Sequence, residues 1–197
     1  MSESEQLMVV DVSGRPLYRA TRQTVHTKGL WHETFHCFVV DLEKGYVLLQ
    51  QRAKQKKDFP ELLDITAAGH LLAGETPAEG VRELEEEIGL VRAFEDLYPI
   101  GVFLEELIFP DLLDRERVHL FITDSSEPLH RYVLQSTEVS RLVAFSFSEF
   151  ARLTEDGTDE LVTVGQEIIR REQFVPHPVR YWRKVNEGIR AYRARKT

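Results

Sequence analysis

Apolar residues occur in short β-rich runs separated by turn residues through the first third of the chain. Residues 7–12 (LMVVDV) and 17–22 (LYRATR) flank Ser13-Gly14-Arg15-Pro16 and predict a hairpin. Phe35–Asp41 (FHCFVVD) and Tyr46–Gln51 (YVLLQQ), joined by Leu42-Glu43-Lys44-Gly45, predict a second, and Asp64–Ala68 a short strand. The pattern then changes to a helical one. Thr76 is an N-cap, Pro77 suits the first helical position, and Glu79 completes a Thr-x-x-Glu capping box, so a helix is expected to run to about Ile88 and stop at Gly89. Ile100–Leu107, Val118–Thr123 and Leu142–Phe147 read as strands. Helices are expected from near Ser148, over Leu161–Arg171, and over Val179–Arg195. The mixture predicts an α/β (α+β) globule: one domain over 1–197, with a core of about 30–170, an N-terminal hairpin at 7–22 and a C-terminal helix at about 178–195.

Composition narrows the class. Hydrophobic residues make up 42% and charged residues 29%, as in an ordinary globular chain. No apolar run approaches the roughly 18 residues that span a bilayer, and the first residues carry neither a basic nor an apolar leader segment, so no membrane partner is expected. Cys37 is the single cysteine, which excludes an internal disulfide and fits a reducing, cytoplasmic setting. A net charge of −8 argues against general nucleic-acid binding. The charge is uneven, since residues 170–197 hold nine Lys and Arg against Glu172 and Glu187; a solvated helix face is the simplest reading.

The chemistry is concentrated in Gly69–Leu90, GHLLAGETPAEGVRELEEEIGL. Glu83, Glu86 and Glu87 stand at i, i+3 and i+4 and share one helical face. Like charges so close are destabilising unless a cation joins them, and three carboxylates suit a hard divalent ion. Arg82 can hold one of them in place, and Gly69 and Gly74 let the preceding backbone approach a ligand.

This segment resembles the Nudix box: Gly, five residues, Glu, seven residues, then Arg-Glu-apolar-x-Glu-Glu-x-Gly-apolar. Gly69, Glu75, Arg82, Glu83, Leu84, Glu86, Glu87, Gly89 and Leu90 match by type. One departure stands out: only six residues, Thr76–Val81, separate Glu75 from Arg82. At about 100° per helical residue, the missing one is expected to shift the loop against the metal face. The resemblance implies an α/β/α sandwich with a mixed central sheet, Mg2+ or Mn2+ held by Glu83, Glu86 and Glu87 with the Gly69 carbonyl, and Arg82 orienting Glu83. It implies hydrolysis of a small-molecule diphosphate, a nucleoside diphosphate linked to another group, with the base drawn from the box glutamates such as Glu86 or from an outside acid such as Glu116. A homodimer is also common in such proteins.

Upstream, Trp31-His32-Glu33-Thr34-Phe35-His36, Val47-Leu48-Leu49-Gln50-Gln51-Arg52, Phe59-Pro60 and Ala68-Gly69-His70 look like the branch containing isopentenyl-diphosphate isomerases, as does Asp114-Arg115-Glu116. Those isomerases use a cysteine in the loop before the box helix. Here that loop reads Ala67-Ala68-Gly69-His70, and Cys37 reads as a small buried hydrophobe. Hydrolysis is therefore favoured over isomerisation and over a non-catalytic binding role. Arg52 is a candidate phosphate clamp or a surface arginine, and His70 a candidate substrate contact. Glu116 is a candidate acid or base, or a partner of Arg115 or Arg117; Glu105 and Glu106 are weaker versions of the same idea. His32 and His36 share a face, but with no third ligand nearby in sequence they read as packing or hydrogen-bonding residues. Trp182, with Tyr181 and Phe174, reads as the apolar anchor of the last helix.

Overall fold

A computed structural model describes residues 3–109, 112–155 and 157–196; Thr197, at the end of the basic tail, lies outside them. The chain opens with the expected hairpin, β1 (Gln6–Val10) and β2 (Pro16–Thr21), then a short helix α1 (Arg22–Lys28). Thr21 caps α1 by accepting from the Thr24 N–H at 3.2 Å. Strand β3 (Trp31–Asp41) follows and is the axis of a nine-stranded mixed sheet. It pairs antiparallel with β4 (Tyr46–Arg52) at its far end and with β6 (Ala67–His70) along Thr34–Cys37. On its other side it runs parallel to β8 (Leu112–Asp124), with His32 opposite Glu116. The long strand β7 (Tyr98–Phe109) pairs with β8, while β5 (Leu63–Asp64) and β9 (Val139–Ser146) pair with β4.

The period-two alternation of β3 sends its side chains to two different cores. Phe35, Cys37 and Val39 pack with Leu84, Ile88 and Leu90, beneath the box helix α2 (Arg82–Ile88). Phe38 and Val40 pack on the opposite face with Tyr181, Trp182, Val185 and Ile189 of the C-terminal helix α4 (Val179–Lys196) and with Phe150 of α3 (Phe147–Ala151). Each such buried side chain contributes roughly 1.5–3 kcal/mol. Helices on both faces make the expected sandwich. Trp182 is the apolar anchor the sequence suggests, 1% exposed, and Arg183, Arg190, Arg193, Arg195 and Lys196 stand on the solvated side of α4.

Three local expectations change. The helix expected over 161–171 is a hairpin of β10 (Glu160–Val162) and β11 (Ile168–Arg170), turning through Gln166 at φ 65°. Its apolar residues recur at spacings that suit a short strand pair as well as a helix, and periodicity alone does not separate the two. The box helix begins at Arg82, later than Pro77. Thr76 and Glu79 do interact, with the Thr76 N–H donating to Glu79 Oε2 at 2.8 Å, but they close a turn that leads into a 3-10 segment, Glu79–Val81. Helix α1 was not anticipated.

Candidate active site

The shortened box is accommodated by that 3-10 segment. A 3-10 turn takes three residues where an α-turn takes 3.6, so it spans the gap with one residue fewer. Arg82 reaches Glu75 Oε1 and Oε2 at 3.3 and 3.2 Å through Nε and Nη2, so the loop stays joined to the box helix. Its Nη2 also donates to the His70 carbonyl at 3.1 Å, and Nη1 donates to Glu83 Oε1 and, at 3.2 Å, to Glu86 Oε2. One guanidinium ties the loop to two of the box carboxylates. At its other end α2 stops at Gly89, φ 69°, whose N–H bonds to the Glu85 carbonyl while the Leu90 N–H bonds to that of Leu84.

Glu83 and Glu87 are buried, and Glu86 is exposed. Glu83 sits on Gly69 so closely that a Cβ there would stand 2.1 Å from Oε1. Glu87 Oε2 accepts from the Ala68 N–H at 2.9 Å and from Gln50 Nε2 at 3.2 Å. The three carboxylates border a cleft of about 320 Å3 completed by Gln135, Thr137 and Glu138. Burial, with Glu86 adding to it against the pull of Arg82, pushes Glu83 up to about 7; burial and the neighbouring Glu83 push Glu87 up to about 8. Three carboxylates on one wall, two of them buried, are hard oxygen donors that fit a divalent cation such as Mg2+ or Mn2+.

A second cluster lies on the other side of Gly69. His26 from α1, His32 from β3 and His70 from β6 bring ring nitrogens within 4.8 Å of one another, and His32, Asp114 and Glu116 do the same with their ligand atoms. His26 Nε2 and His32 Nε2 lie 3.6 and 3.7 Å from Asp114 Oδ1, and His32 Nε2 lies 3.9 Å from Glu116 Oε1. His32 Nε2, His70 Nδ1 and Asp114 Oδ1 are buried without a hydrogen-bond partner. Burial lowers all three imidazole pKa values, His26 to about 4, so the rings are neutral and able to act as ligands. The donor set fits a transition ion such as Mn2+ or Zn2+. His32 Nδ1 lies 3.0 Å from the Leu30 carbonyl oxygen, the hydrogen-bonding role expected of it, and the further groups around its other nitrogen come from distant chain segments. His36 remains a hydrogen-bonding residue, with Nδ1 2.9 Å from the Tyr181 hydroxyl.

Beside the second cluster is a cavity of about 90 Å3, lined among others by Arg52, Gly69, His70, Glu105, Glu116 and His177. A cleft bordered by Arg22, Arg52, Lys56, Lys57, Thr137 and Glu138 leads from it towards the box carboxylates. Arg52 is ion-paired with Asp64 at 2.8 Å and faces this space, so it is not a plain surface arginine. Glu116 points inwards, accepting from Thr34 Oγ1 at 3.3 Å, and its pairing with Arg115 or Arg117 does not occur; those arginines bond Glu106 and Glu33. Burial, then Asp114 and Glu105, holds Glu116 well above the usual carboxylate range. Glu105 is buried against His177, a residue the sequence pattern did not single out. Cys37 faces the α2 core; burial pushes its thiol far up, away from the reactive range.

The fold agrees with that of known proteins similar to this chain. A model of the NUDIX domain matches residues 30–163. A protein of Clostridium acetobutylicum called an uncharacterized Nudix hydrolase is 34% identical over 95% of this chain and 98% of its own length. An isopentenyl-diphosphate Delta-isomerase of Burkholderia multivorans is 34% identical over 60% of this chain and 66% of its own length. Among solved structures, a Deinococcus radiodurans protein superposes with a TM-score of 0.56 at 18% identity, over 78% of this chain and 90% of its own. The MutT protein of Methanosarcina mazei Go1 also superposes with a TM-score of 0.56, at 17% identity, over 82% and 95%. The chain therefore belongs to the Nudix hydrolase family. Among the described residues, no helix is long and apolar enough to cross a membrane.

Proposed function

We propose that the protein is a divalent-metal-dependent hydrolase of a phosphoanhydride bond in an organic diphosphate, such as a nucleoside diphosphate carrying a second group. The observation that carries this reading is the gathering of three carboxylates on one cleft wall, with Glu83 seated on Gly69 and Glu87 buried beside it. Glu83, Glu86 and Glu87 with the Gly69 carbonyl hold Mg2+ or Mn2+, which when bound neutralises charge that builds on the phosphate oxygens in the transition state. His26, His32, His70, Asp114 and Glu116 hold a second ion, and this assigns His70 to the metal shell in place of the substrate contact expected of it.

The chain's own residues do the rest. Arg82 fixes the directions of Glu83 and Glu86 through one guanidinium. Arg52, with Arg22 and Lys56 along the same cleft, receives the diphosphate. Glu86, exposed at the mouth of the box, is placed to take a proton from water. The isomerase reading loses support because the loop before the box helix, Ala67–His70, offers no thiol.

The test is a panel of organic diphosphates assayed for monophosphate release with Mg2+ or Mn2+. Release that EDTA abolishes, and that Glu86→Gln and Glu87→Gln each reduce while the fold persists, supports the assignment. Undiminished turnover in both variants overturns it.

A further inference from the structure

His177 comes from the segment between β11 and α4, beyond residues 30–163 that match the family, yet it sits in the floor of the cavity. Both ring nitrogens face carboxylates. Nδ1 is 2.9 and 3.0 Å from Glu105 Oε1 and Oε2, and Nε2 is 3.0 Å from Asp64 Oδ1. A neutral imidazole has one donor nitrogen, so it satisfies only one of these contacts; the doubly protonated ring satisfies both. Tyr181 stacks on the ring with centroids 4.5 Å apart, and Trp182 meets it edge-on at 5.2 Å, which leaves it no room to swing away. The ring of His36 lies 6.3 Å away between centroids, and the Glu116 carboxylate of the same cavity interacts electrostatically with the imidazole.

The line continues beyond Asp64. Its Oδ1 also accepts from the Ile65 N–H at 2.8 Å, and its Oδ2 accepts from Arg52 Nη1 at 2.8 Å. Arg52 Nε donates to the Asp58 carbonyl at 3.1 Å. Two of the guanidinium nitrogens are thus committed to the protein, and Nη2 has no hydrogen bond among the described residues. We propose that His177 is a positioning residue: as a fixed imidazolium it pins Asp64, and through Asp64 it aims Arg52 so that Nη2 meets a phosphate oxygen of the substrate. This rests on the reading of Arg52 as a phosphate clamp. Without the cation, Asp64 and Glu105 become neighbouring buried acids with one fewer counter-charge, one of them takes up a proton, and the arginine loses its fixed partner.

The probe is methylenediphosphonate, a non-hydrolysable diphosphate, titrated calorimetrically with Mg2+ present. Arg52→Ala tests the clamp itself: an affinity equal to wild type overturns that reading and the proposal with it. Given a loss in Arg52→Ala, His177→Gln is expected to weaken binding about tenfold when Arg52 is present and to add no further loss in the Arg52→Ala background. An additive loss, or none, assigns His177 a role other than aiming Arg52 and overturns the proposal. Should His177→Gln fail to fold, the double variant Glu105→Gln/His177→Gln removes one charge of each sign and carries the same cycle. In the wild type, 15N spectra of the imidazole at pH 7.5 are expected to show both nitrogens protonated; a singly protonated ring also overturns it.

Discussion

The Glu83 carboxylate occupies the space above Gly69 where any other residue carries its β-carbon, 2.1 Å from the position such an atom would take. This close approach turns a loop glycine into part of the metal wall. Gly69→Ala is expected to push Glu83 out of line by more than an ångström and to reduce kcat/KM by about 10²-fold, the usual cost of such a displacement. Mn2+ affinity measured by electron paramagnetic resonance should fall with it. Wild-type affinity in this variant would show that Glu83 is not held by the contact.

The pH dependence of the metal-free protein has a definite sign between pH 6.5 and 8. Glu83 and Glu87 titrate in the fold at about 7 and about 8, above the ordinary 4.5, so the folded chain keeps protons there that the unfolded chain has released. His177 adds to this: burial opposes its charge, but Glu105 and Asp64 win and lift it to about 10, so its contribution is complete below 6.5 and fades as pH rises towards 10. Stability therefore falls with rising pH across this window. His26, His32, His36 and His70, all lowered by burial from 6.5, oppose this trend at the lower edge of the window and lose their effect above about pH 7.5. Thermal melts in EDTA should show Tm falling from pH 6.5 to 8, and Mg2+ should raise Tm more at pH 8 than at 6.5. Glu87→Gln is expected to flatten both trends. A rising Tm in EDTA would contradict the protonation assigned to the box.

The two proposed ion sites predict two separable losses. Titration of the metal-free protein with Mn2+ should give two classes of site. His32→Ala should remove one and Glu83→Gln the other, since the two sets share no residue. A single class that both substitutions abolish would mean that the histidines and the box share one ion.

Cys37 belongs to the packing of α2, with no exposed surface. Cys37→Ala is expected to cost about 1 kcal/mol of stability, as a small volume change in a close-packed core does, and to leave hydrolysis at the wild-type rate. In the native protein the thiol should not react with a disulfide reagent on the minute timescale. Loss of turnover in Cys37→Ala at unchanged Tm would revive thiol chemistry.

The sequence by itself determined what is decided over a few neighbouring residues. The box carboxylates, the Arg82 that clasps them, the stop at Gly89 and the first two hairpins are all local, because helix spacing and turn chemistry act over three or four positions. Where two local solutions cost nearly the same, the residues did not choose. Leu161–Arg171 became a hairpin, and Thr76–Val81 tightened into a 3-10 turn that keeps Glu75 on Arg82 despite the missing residue.

Only the tertiary structure decided the rest. The parallel register of β3 on β8 places His32 opposite Glu116, and an unforeseen helix delivers His26 to the same point. The chain's last quarter returns His177 to Asp64, 113 residues distant in sequence. Such meetings depend on strand order and on which face of a strand is covered. Those follow from burying two apolar cores at once, a property of the whole chain that no single segment expresses.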